Sequence, residues 1–349
     1  MAIAASLGGS ASAAAATWRY VRCDAALHAY VAVYAVAGLL VAAGAGVPHK
    51  FVPLTYVFYS FPLAVFAMVV GGGAWALWSR EPFAALRRAV GKARDPQVLA
   101  GCLLFASLCV HMGVFTSIKT MLPDMVPFFA DASLADVDEA MHGAPPWQYT
   151  TSLLPAGLTG LICPVYFGIW GLLLPATLLA CVFAPQLRAV RAQYLWTHLL
   201  AWPLLGNIVA GAGLSAGPVF YGLVTGDDGR FAPLLEYLSA FPPLGEGAAY
   251  LWQTHVSGQP SVATGISAFP SMHVANATLF TLLAARLGRW WFAIAIAFCG
   301  FVLFASVHLA WHYAIDGYFS IAATLLIWLA VGWALRRRSP ATAASPQVA

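Results

Sequence analysis

The feature that most constrains this chain is a series of apolar runs, each close to the length of a membrane-spanning helix. A bilayer core of about 30 Å needs roughly 20 apolar residues in a helix. Of the 349 residues, 61% are hydrophobic and 9% are charged, whereas soluble domains carry about 25% charged residues. The sequence therefore predicts an all-α, polytopic membrane helical bundle of about eight spans. The runs lie near 26–46, 53–78, 98–117, 159–184, 195–214, 272–285, 290–308 and 313–335.

Basic residues occur in alternate predicted loops and orient the bundle. Cytoplasmic loops of membrane proteins carry an excess of Lys and Arg. With a cytoplasmic N-terminus, only Lys50, Lys119 and Arg230 of the 17 basic residues fall outside. We therefore expect an integral protein of a bacterial inner membrane with both termini in the cytoplasm. The basic residues on the inner side are Arg19, Arg22, Arg80, Arg87, Arg88, Lys92, Arg94, Arg188, Arg191, Arg286, Arg289, Arg336, Arg337 and Arg338.

Composition divides the chain into four predicted parts. The Ala-, Ser- and Gly-rich residues 1–24 and the tail 339–349 are predicted to be disordered and cytoplasmic. Residues 25–97 are predicted to hold two accessory transmembrane helices and a basic segment at the membrane interface. Residues 98–338 form a predicted core of six helices. Its two long outer segments, 119–154 and 217–270, are interpreted as loops that cover an outward-facing cavity, because long ordered loops are commonly functional.

Ionisable side chains are predicted to gather at the outer face of this core. His273 starts the sixth span, His308 ends the seventh, His312 and Asp316 open the eighth, and Lys119 ends the third. Ionisable groups beside apolar runs are costly and are therefore functional candidates. His312 and Asp316 stand at i and i+4, so the carboxylate can hold one imidazole nitrogen and leave the other as a nucleophile or base.

The residues around His273 are suited to binding a phosphate. His273 follows Pro270, and Ser267 or Ser271 can cap a helix that begins there. Free backbone N–H groups and the helix dipole at such a terminus attract anions, and Lys119 adds a positive charge. Two imidazoles, an orienting carboxylate and an anion cradle together indicate phosphoryl transfer.

Two motifs carry a resemblance to a known family. The stretch Phe269-Pro270-Ser271-Met272-His273 resembles the P-S-x-H motif of the type-2 phosphatidic acid phosphatase superfamily, and His312 to Asp316 resembles its H-x-x-x-D motif. Lys119 matches the first motif, K-x6-R-P, except that Val126 replaces the arginine. Ala305 and Ser306 stand where the third motif has Ser-Arg. The His-Tyr-x-x-Asp form and the segment 217–221 resemble the branch of inositol phosphorylceramide synthases.

The resemblance implies a fold, a reaction and roles for residues. Residues 98–338 would form a phosphatidic-acid-phosphatase-like core acting on a phospholipid or lipid phosphate at the extracytoplasmic face, as a lipid phosphatase or a phospho-headgroup transferase. Inositol-phosphate transfer to a lipid hydroxyl is one such reaction. His312 would form a phosphohistidine, Asp316 would orient it and His273 would protonate the leaving group. Lys119 and Ser271 would bind phosphate oxygens, and no metal or other cofactor is implied.

The two missing arginines leave the charge of the anion site open. From the residues alone, we interpret Arg230 or His308 as candidates to supply it. We expect the lipid substrate and the bilayer to be the partners of the chain, and no nucleic acid.

Two other functions remain possible from the same residues. In a lipid transporter, His273, His312 and Asp316 would relay protons, but no inverted repeat is apparent and the ionisable groups lie at one face instead of the midplane. In a metal-dependent lipid hydrolase, His308, His312, Asp316 and His273 would bind zinc. Chelator sensitivity distinguishes the metal-dependent hydrolase from a phosphohistidine enzyme.

Overall fold

The structure of the chain is a computed structural model that describes residues 14–338. These residues form a bundle of α-helices without strands. The first helices are α1 (Ala25–Gly44), α2 (Thr55–Trp78), α3 (Pro82–Ala93), α4 (Pro96–Met125), α5 (Asp131–His142) and α6 (Pro146–Leu153). Next come α7, which runs through Ala156–Cys163, Pro164–Ile169 and Trp170–Phe183, and α8, which runs through Arg188–Pro203, Leu204–Val209 and Ala210–Ala212. The last are α9 (Tyr221–Thr225), α10 (Ala232–Ser239), α11 (Pro242–Ser257), α12 (Met272–Ala284), α13 (Arg289–His308) and α14 (Ala314–Arg338).

Within the described residues, six helices are long and apolar enough to cross a membrane, namely α1, α2, α4, α7, α13 and α14. The other two predicted spans correspond to α8, which contains a π-helical turn, and to α12, which has 13 residues. The prediction of an all-α polytopic membrane bundle is confirmed.

Helix α4 is the most buried of the long helices. Of the 18 consecutive residues that form its most apolar stretch, 61% are buried. The corresponding value for the stretch that covers most of α2 is 6%. Both accessory helices, α1 and α2, pack against α4, and α2 exposes Phe58, Leu63 and Phe66 on its outer surface. An apolar exposed face of this kind is suited to contact with lipid.

Helix α12 lies inside the core, where it packs against α8, α13 and α14. At about 1.5 Å per residue it is too short to cross a bilayer core by itself. The irregular chain that leads into it is buried as well, with Ile266, Ala268 and Ser271 at most 3% exposed. Non-helical backbone is tolerated at membrane depth where protein surrounds it. The start of α12 is therefore held deep in the core.

Several predicted boundaries differ from the structure. The outer segments 119–154 and 217–270 are largely helical, because α4 continues to Met125 and α5, α6 and α9–α11 follow. Lys119 consequently lies within α4 and not at its end. Residues 14–23 are helical, so the disorder predicted for 1–24 does not extend over them. Residues 1–13 and the predicted disordered tail 339–349 lie outside the described residues.

Candidate active site

His312 and Asp316 form a hydrogen-bonded pair at the start of α14. His312 Nδ1 lies 3.2 Å from Asp316 Oδ2, and the backbone N–H of Tyr313 donates to the same oxygen at 3.0 Å. The turn before α14 is held by the carbonyl of Ser306, which accepts from the N–H groups of Trp311 and His312. Asp316 is fully buried and His312 is nearly so. Because Nδ1 is occupied, Nε2 is the nitrogen left for chemistry.

His273 stands at the second residue of α12, beside this pair. Its ring centroid lies 6.2 Å from that of His312. The Ser271 hydroxyl caps α12 by accepting from the N–H of Val274, and the Ser271 N–H donates to the carbonyl of Asp316 at 3.4 Å. Trp170 donates from its indole to the carbonyl of His273 at 3.0 Å. The starts of α12 and α14 are thus tied together, and both imidazoles meet at one end of the bundle.

Lys119 approaches the same place from α4. A Cβ atom added at Gly265 would lie 3.0 Å from atoms of Lys119, so the chain leading into α12 passes directly over it. Gly265 has a φ of +92°, in the left-handed region where glycine is favoured. The Lys119 charge is within electrostatic range of His273. Within the described part of the chain its ammonium group forms no hydrogen bond, so it is available for an anion.

His308 and Arg230 are bonded to other side chains. His308 is fully buried, with Nε2 3.0 Å from the Thr159 hydroxyl and Nδ1 3.3 Å from that of Thr150. Arg230 donates to Asp136 at 2.6 Å and to Glu139 at 3.1 Å. A cleft lined by both Arg230 and His312 nevertheless brings the guanidinium near the site. His308 thus has no free nitrogen for a phosphate, whereas Arg230 lies at the rim of the cleft that contains His312.

Two carboxylates on α5, which are not among the site residues predicted from the sequence, bind the segment that contains His312 and Asp316. Asp138 accepts from the N–H groups of Ala314 and Ile315, at 2.6 and 2.8 Å. Asp131 accepts from the Tyr313 hydroxyl at 2.8 Å. Burial raises the pKa of both Asp131 and Asp138, although the hydrogen bonds they accept oppose the change.

One of these carboxylates, Asp131, connects a second segment to the site. Asp131 also accepts from the N–H groups of Ala216 and Gly217, each at 2.8 Å. The spacing of seven residues, which puts Asp131 and Asp138 on one face of α5, is the sequence signal that could have revealed the pair. We call these two residues the α5 clamp.

A comparison with known protein families identifies the chain. The sequence profile described as the PAP2 superfamily matches residues 132–333, more than half of the chain. The chain belongs to the PAP2 superfamily. No curated protein and no solved structure matches it. Members of the superfamily are phosphatases and phosphotransferases, so this protein is an enzyme that acts on phosphoesters.

The match confirms the family that the two motifs predicted, while the branch of inositol phosphorylceramide synthases stays a prediction. This PAP2 protein departs from the superfamily at the two motif arginines. Val126 has no polar side chain, and the Ser306 hydroxyl donates to the carbonyl of Leu303 at 2.7 Å. Neither residue supplies the missing charge.

The metal site considered from the sequence is not assembled by its four residues. Over residues 14–338, His, Cys, Asp and Glu side chains form no group of three or more that could hold a metal ion. Both nitrogens of His308 face threonine hydroxyls instead of His312. His308 therefore does not join His273, His312 and Asp316 in one group of ligands.

Proposed function

We propose that this PAP2 superfamily enzyme cleaves the phosphoester of a membrane lipid through a phosphohistidine on His312. The observation that carries the proposal is the arrangement of the two imidazoles. Asp316 holds Nδ1 of His312 at 3.2 Å, and the His273 ring lies 6.2 Å from the His312 ring. Both rings are close enough to contact a single phosphoryl group. A nucleophile with an orienting acid and a separate proton donor is what a two-step transfer requires.

In the first step, Nε2 of His312 attacks phosphorus, and the bond from phosphorus to the lipid oxygen breaks. Protonated His273 gives its proton to that oxygen, while Asp316 stabilises the positive charge on the His312 ring. In the second step, neutral His273 takes the proton of water or of a lipid hydroxyl. The oxygen of that molecule attacks phosphorus, and the bond from phosphorus to nitrogen breaks.

The acceptor decides which product leaves. Water releases a free phosphate or phosphate ester, whereas a lipid hydroxyl produces a new phospholipid. When the donor is a phosphoinositide cleaved on its diacylglycerol side, the group carried by His312 is phosphoinositol. Transfer of that group to a lipid hydroxyl is the form suggested by the resemblance of segment 217–221 to inositol phosphorylceramide synthases.

Lys119, Ser271 and the start of α12 form the proposed anion cradle. The Lys119 ammonium is free of hydrogen bonds to the described residues, and the N-terminus of α12 supplies backbone N–H groups and the positive end of a dipole. Arg230 is proposed to contribute from the rim by exchanging Asp136 or Glu139 for a phosphate oxygen. His308, which is bonded on both nitrogens, is better suited to holding α13 against α6 and α7.

The proposed site faces away from the cytoplasm. Support comes from the basic residues, since 14 of the 17 fall on the opposite side when the N-terminus is cytoplasmic. A lipid substrate is supported by the membrane setting of the enzyme.

The test is to trap the intermediate. Purified protein in lipid nanodiscs is mixed with phosphoinositides and lipid phosphates labelled at phosphorus, and the reaction is quenched with alkali within milliseconds. We expect label on wild-type protein at a histidine, no label on His312→Ala, and turnover slowed about 10²- to 10⁴-fold in His273→Ala. Rapid cleavage without any labelled protein would refute the intermediate.

Product analysis on the same samples decides the reaction. Adding ceramide or diacylglycerol separates a transferase, which forms a new labelled lipid, from a hydrolase, which releases a water-soluble product. Loss of activity with a chelator would instead favour a metal-dependent hydrolase. Movement of intact lipid between leaflets without cleavage would favour a transporter.

A further inference from the structure

A π-helical turn in α7 places aromatic side chains around the ring of His273. Tyr166 lies in this turn, Pro164–Ile169, and its ring stacks on His273 at 4.6 Å with an interplanar angle of 16°. The Trp170 ring lies 4.2 Å from His273, and the Phe167 ring meets it edge-on at 6.0 Å. Turns of this kind occur frequently at functional sites. The turn fixes the position of Tyr166 relative to His273.

The hydroxyl of Tyr166 is a buried donor that has no hydrogen-bond partner among the described residues. The side chain is 0% exposed. Buried tyrosine hydroxyls usually find a partner, and leaving one unpaired costs free energy. The ring that carries this hydroxyl stacks on His273, whose ring lies 6.2 Å from that of His312, so Tyr166 belongs to the surroundings of the proposed nucleophile. An oxygen of a ligand bound at the site could accept a hydrogen bond from this hydroxyl.

This chain offers few hydrogen-bond donors to the proposed phosphate. The superfamily motifs carry two arginines, and Val126 and Ser306 stand in their places. The Ser306 hydroxyl is already bonded to a carbonyl, and Arg230 is held at the rim by two carboxylates. Phosphate oxygens each accept more than one hydrogen bond, so Lys119 and the start of α12 leave acceptor sites unfilled.

We infer that the Tyr166 hydroxyl donates a hydrogen bond to a phosphate oxygen held between His273 and His312, and so takes over part of the binding that the motif arginines provide in the superfamily. The inference rests on the proposed function, because it uses the same phosphate position. Tyr166 is thereby a substrate-binding residue, and its stack on His273 holds its ring beside the proposed phosphate position. Since a phenol carries no positive charge, Lys119 remains the main cation of the site.

Two indole N–H groups near the site also lack partners among the described residues, those of Trp147 and Trp311. Trp147 lines the cleft that contains His312, but its side chain is only partly buried. Neither indole ring contacts the ring of His273 or of His312. Tyr166 is the donor that combines complete burial with direct contact to a proposed catalytic ring.

The experiment compares Tyr166→Phe with Tyr194→Phe in the full-length protein in nanodiscs. Tyr166→Phe keeps the ring stack and removes only the hydroxyl. Tyr194 is an equally buried tyrosine remote from the site, and its hydroxyl donates to Thr177 at 2.8 Å. Two quantities are measured for each protein without substrate: the melting temperature, and the apparent dissociation constant of inorganic phosphate from its stabilising effect on melting.

We expect phosphate to stabilise the wild-type protein and to bind Tyr166→Phe about 10- to 100-fold more weakly, the effect of losing one hydrogen bond to a charged group. The melting temperature of Tyr166→Phe without phosphate should equal or exceed that of wild type, because an unpaired buried hydroxyl has been removed. Tyr194→Phe should show the reverse pattern, with a lower melting temperature and unchanged phosphate affinity.

Unchanged phosphate affinity in Tyr166→Phe would overturn the inference while leaving the proposed function intact. Weaker binding accompanied by a lower melting temperature would overturn it too, since the hydroxyl would then have a structural role. If phosphate fails to stabilise the wild-type protein, the proposed phosphate position is wrong and the inference falls with it.

Discussion

At the scale of single residues, we propose different roles for His308 and His312 because their ring nitrogens meet different partners. In the sequence the two are four residues apart, with His308 at the end of the seventh predicted span and His312 at the start of the eighth. In the fold, His308 is bonded to two threonine hydroxyls from α6 and α7, whereas His312 is bonded to a carboxylate on one nitrogen only. A histidine with both nitrogens engaged orders the fold, and one with a free nitrogen can react.

Substitution of these two histidines should separate their roles. We expect His312→Ala to lower the turnover number by about 10⁴-fold or more, because the nucleophile is removed. His308→Ala should lower it by less than about tenfold but reduce stability by about 1–3 kcal/mol, since a buried hydrogen-bonded ring is lost. Turnover and melting temperature are measured on both variants. Equal and complete loss of turnover in both would contradict the assignment.

We expect the negative charge of Asp138 to contribute to both stability and turnover. In Asp138→Asn the amide can accept only one of the two N–H groups at the start of α14, and the negative charge at the helix N-terminus is lost. We expect a loss of stability of about 1–3 kcal/mol and a fall in the turnover number with little change in KM. Asp136→Asn, on the same helix but with a largely exposed side chain, is the stability control and should change stability by no more than about 1 kcal/mol. Equal stability losses in the two variants would argue against the clamp.

The raised pKa of Asp131 predicts a pH-dependent contribution to stability. Burial favours the protonated carboxyl, so the folded protein binds this proton more readily than the unfolded chain, in which the pKa is about 3.9. The contribution is fully present below about pH 4 and is lost as the pH rises through the raised folded value. The melting temperature should therefore depend less on pH, between about pH 4 and 7, in Asp131→Asn. An identical slope in wild type and variant would mean that Asp131 stays ionised.

At the scale of elements, the site depends on the contact between the 214–218 segment and the turn before α14. Gly217 has φ +93° and ψ 167°, a region that essentially only glycine adopts. A Cβ atom there would lie 2.7 Å from the carbonyl oxygen of Trp311, next to His312. The close approach lets the Gly217 N–H reach Asp131, so α5, this segment and α14 share one set of hydrogen bonds.

Gly217→Ala should disrupt this contact, and Gly226→Ala is its matched control. Gly226 also has a positive φ, +78°, but nothing lies within 4 Å of an added Cβ. We expect Gly226→Ala to cost about 1 kcal/mol from backbone strain alone, with turnover unchanged. Gly217→Ala should cost several kcal/mol and lose most turnover, because the backbone beside His312 must move. Melting curves and turnover check both variants, and equal effects would refute the importance of the contact.

At the scale of the whole molecule, the packing of the helices brings four separate parts of the chain to one end of the bundle. Lys119 comes from α4 and His273 from α12, while His312 and Asp316 lie at the start of α14, where the α5 clamp bonds the intervening residues 313–315. In the predicted orientation, 14 of the 17 basic residues lie at the opposite ends of the helices. The site and the positive charges therefore belong to opposite faces of the proposed topology.

Labelling of cysteine tests that topology. The exposed Cys23 precedes α1 and is predicted to face the cytoplasm, whereas the exposed Asp227 follows α9 on the side of the site. A membrane-impermeant maleimide added to intact cells should label Asp227→Cys and leave the wild-type protein unlabelled. After permeabilisation it should label wild type but not Cys23→Ser. Labelling of Cys23 in intact cells would reverse the orientation.

The sequence alone determined the class of fold and selected the main residues of the candidate site. Long apolar runs predict membrane helices because a bilayer imposes a local length on each of them. His273, His312 and Asp316 could be selected because each stands at the end of such a run, and because helix geometry relates positions four residues apart. These properties depend on neighbours within one or two turns, so they can be recognised in the printed sequence.

The tertiary structure alone decided what each group touches. The bonds from Asp138 to the start of α14 join residues 176 and 177 positions apart, and those of His308 join residues about 150 apart. The π-helical turn that brings Tyr166 onto His273 likewise depends on packing between α7 and α12. A hydrogen bond needs its atoms within about 3 Å, and partners so distant in the chain reach that separation only when the helices have packed.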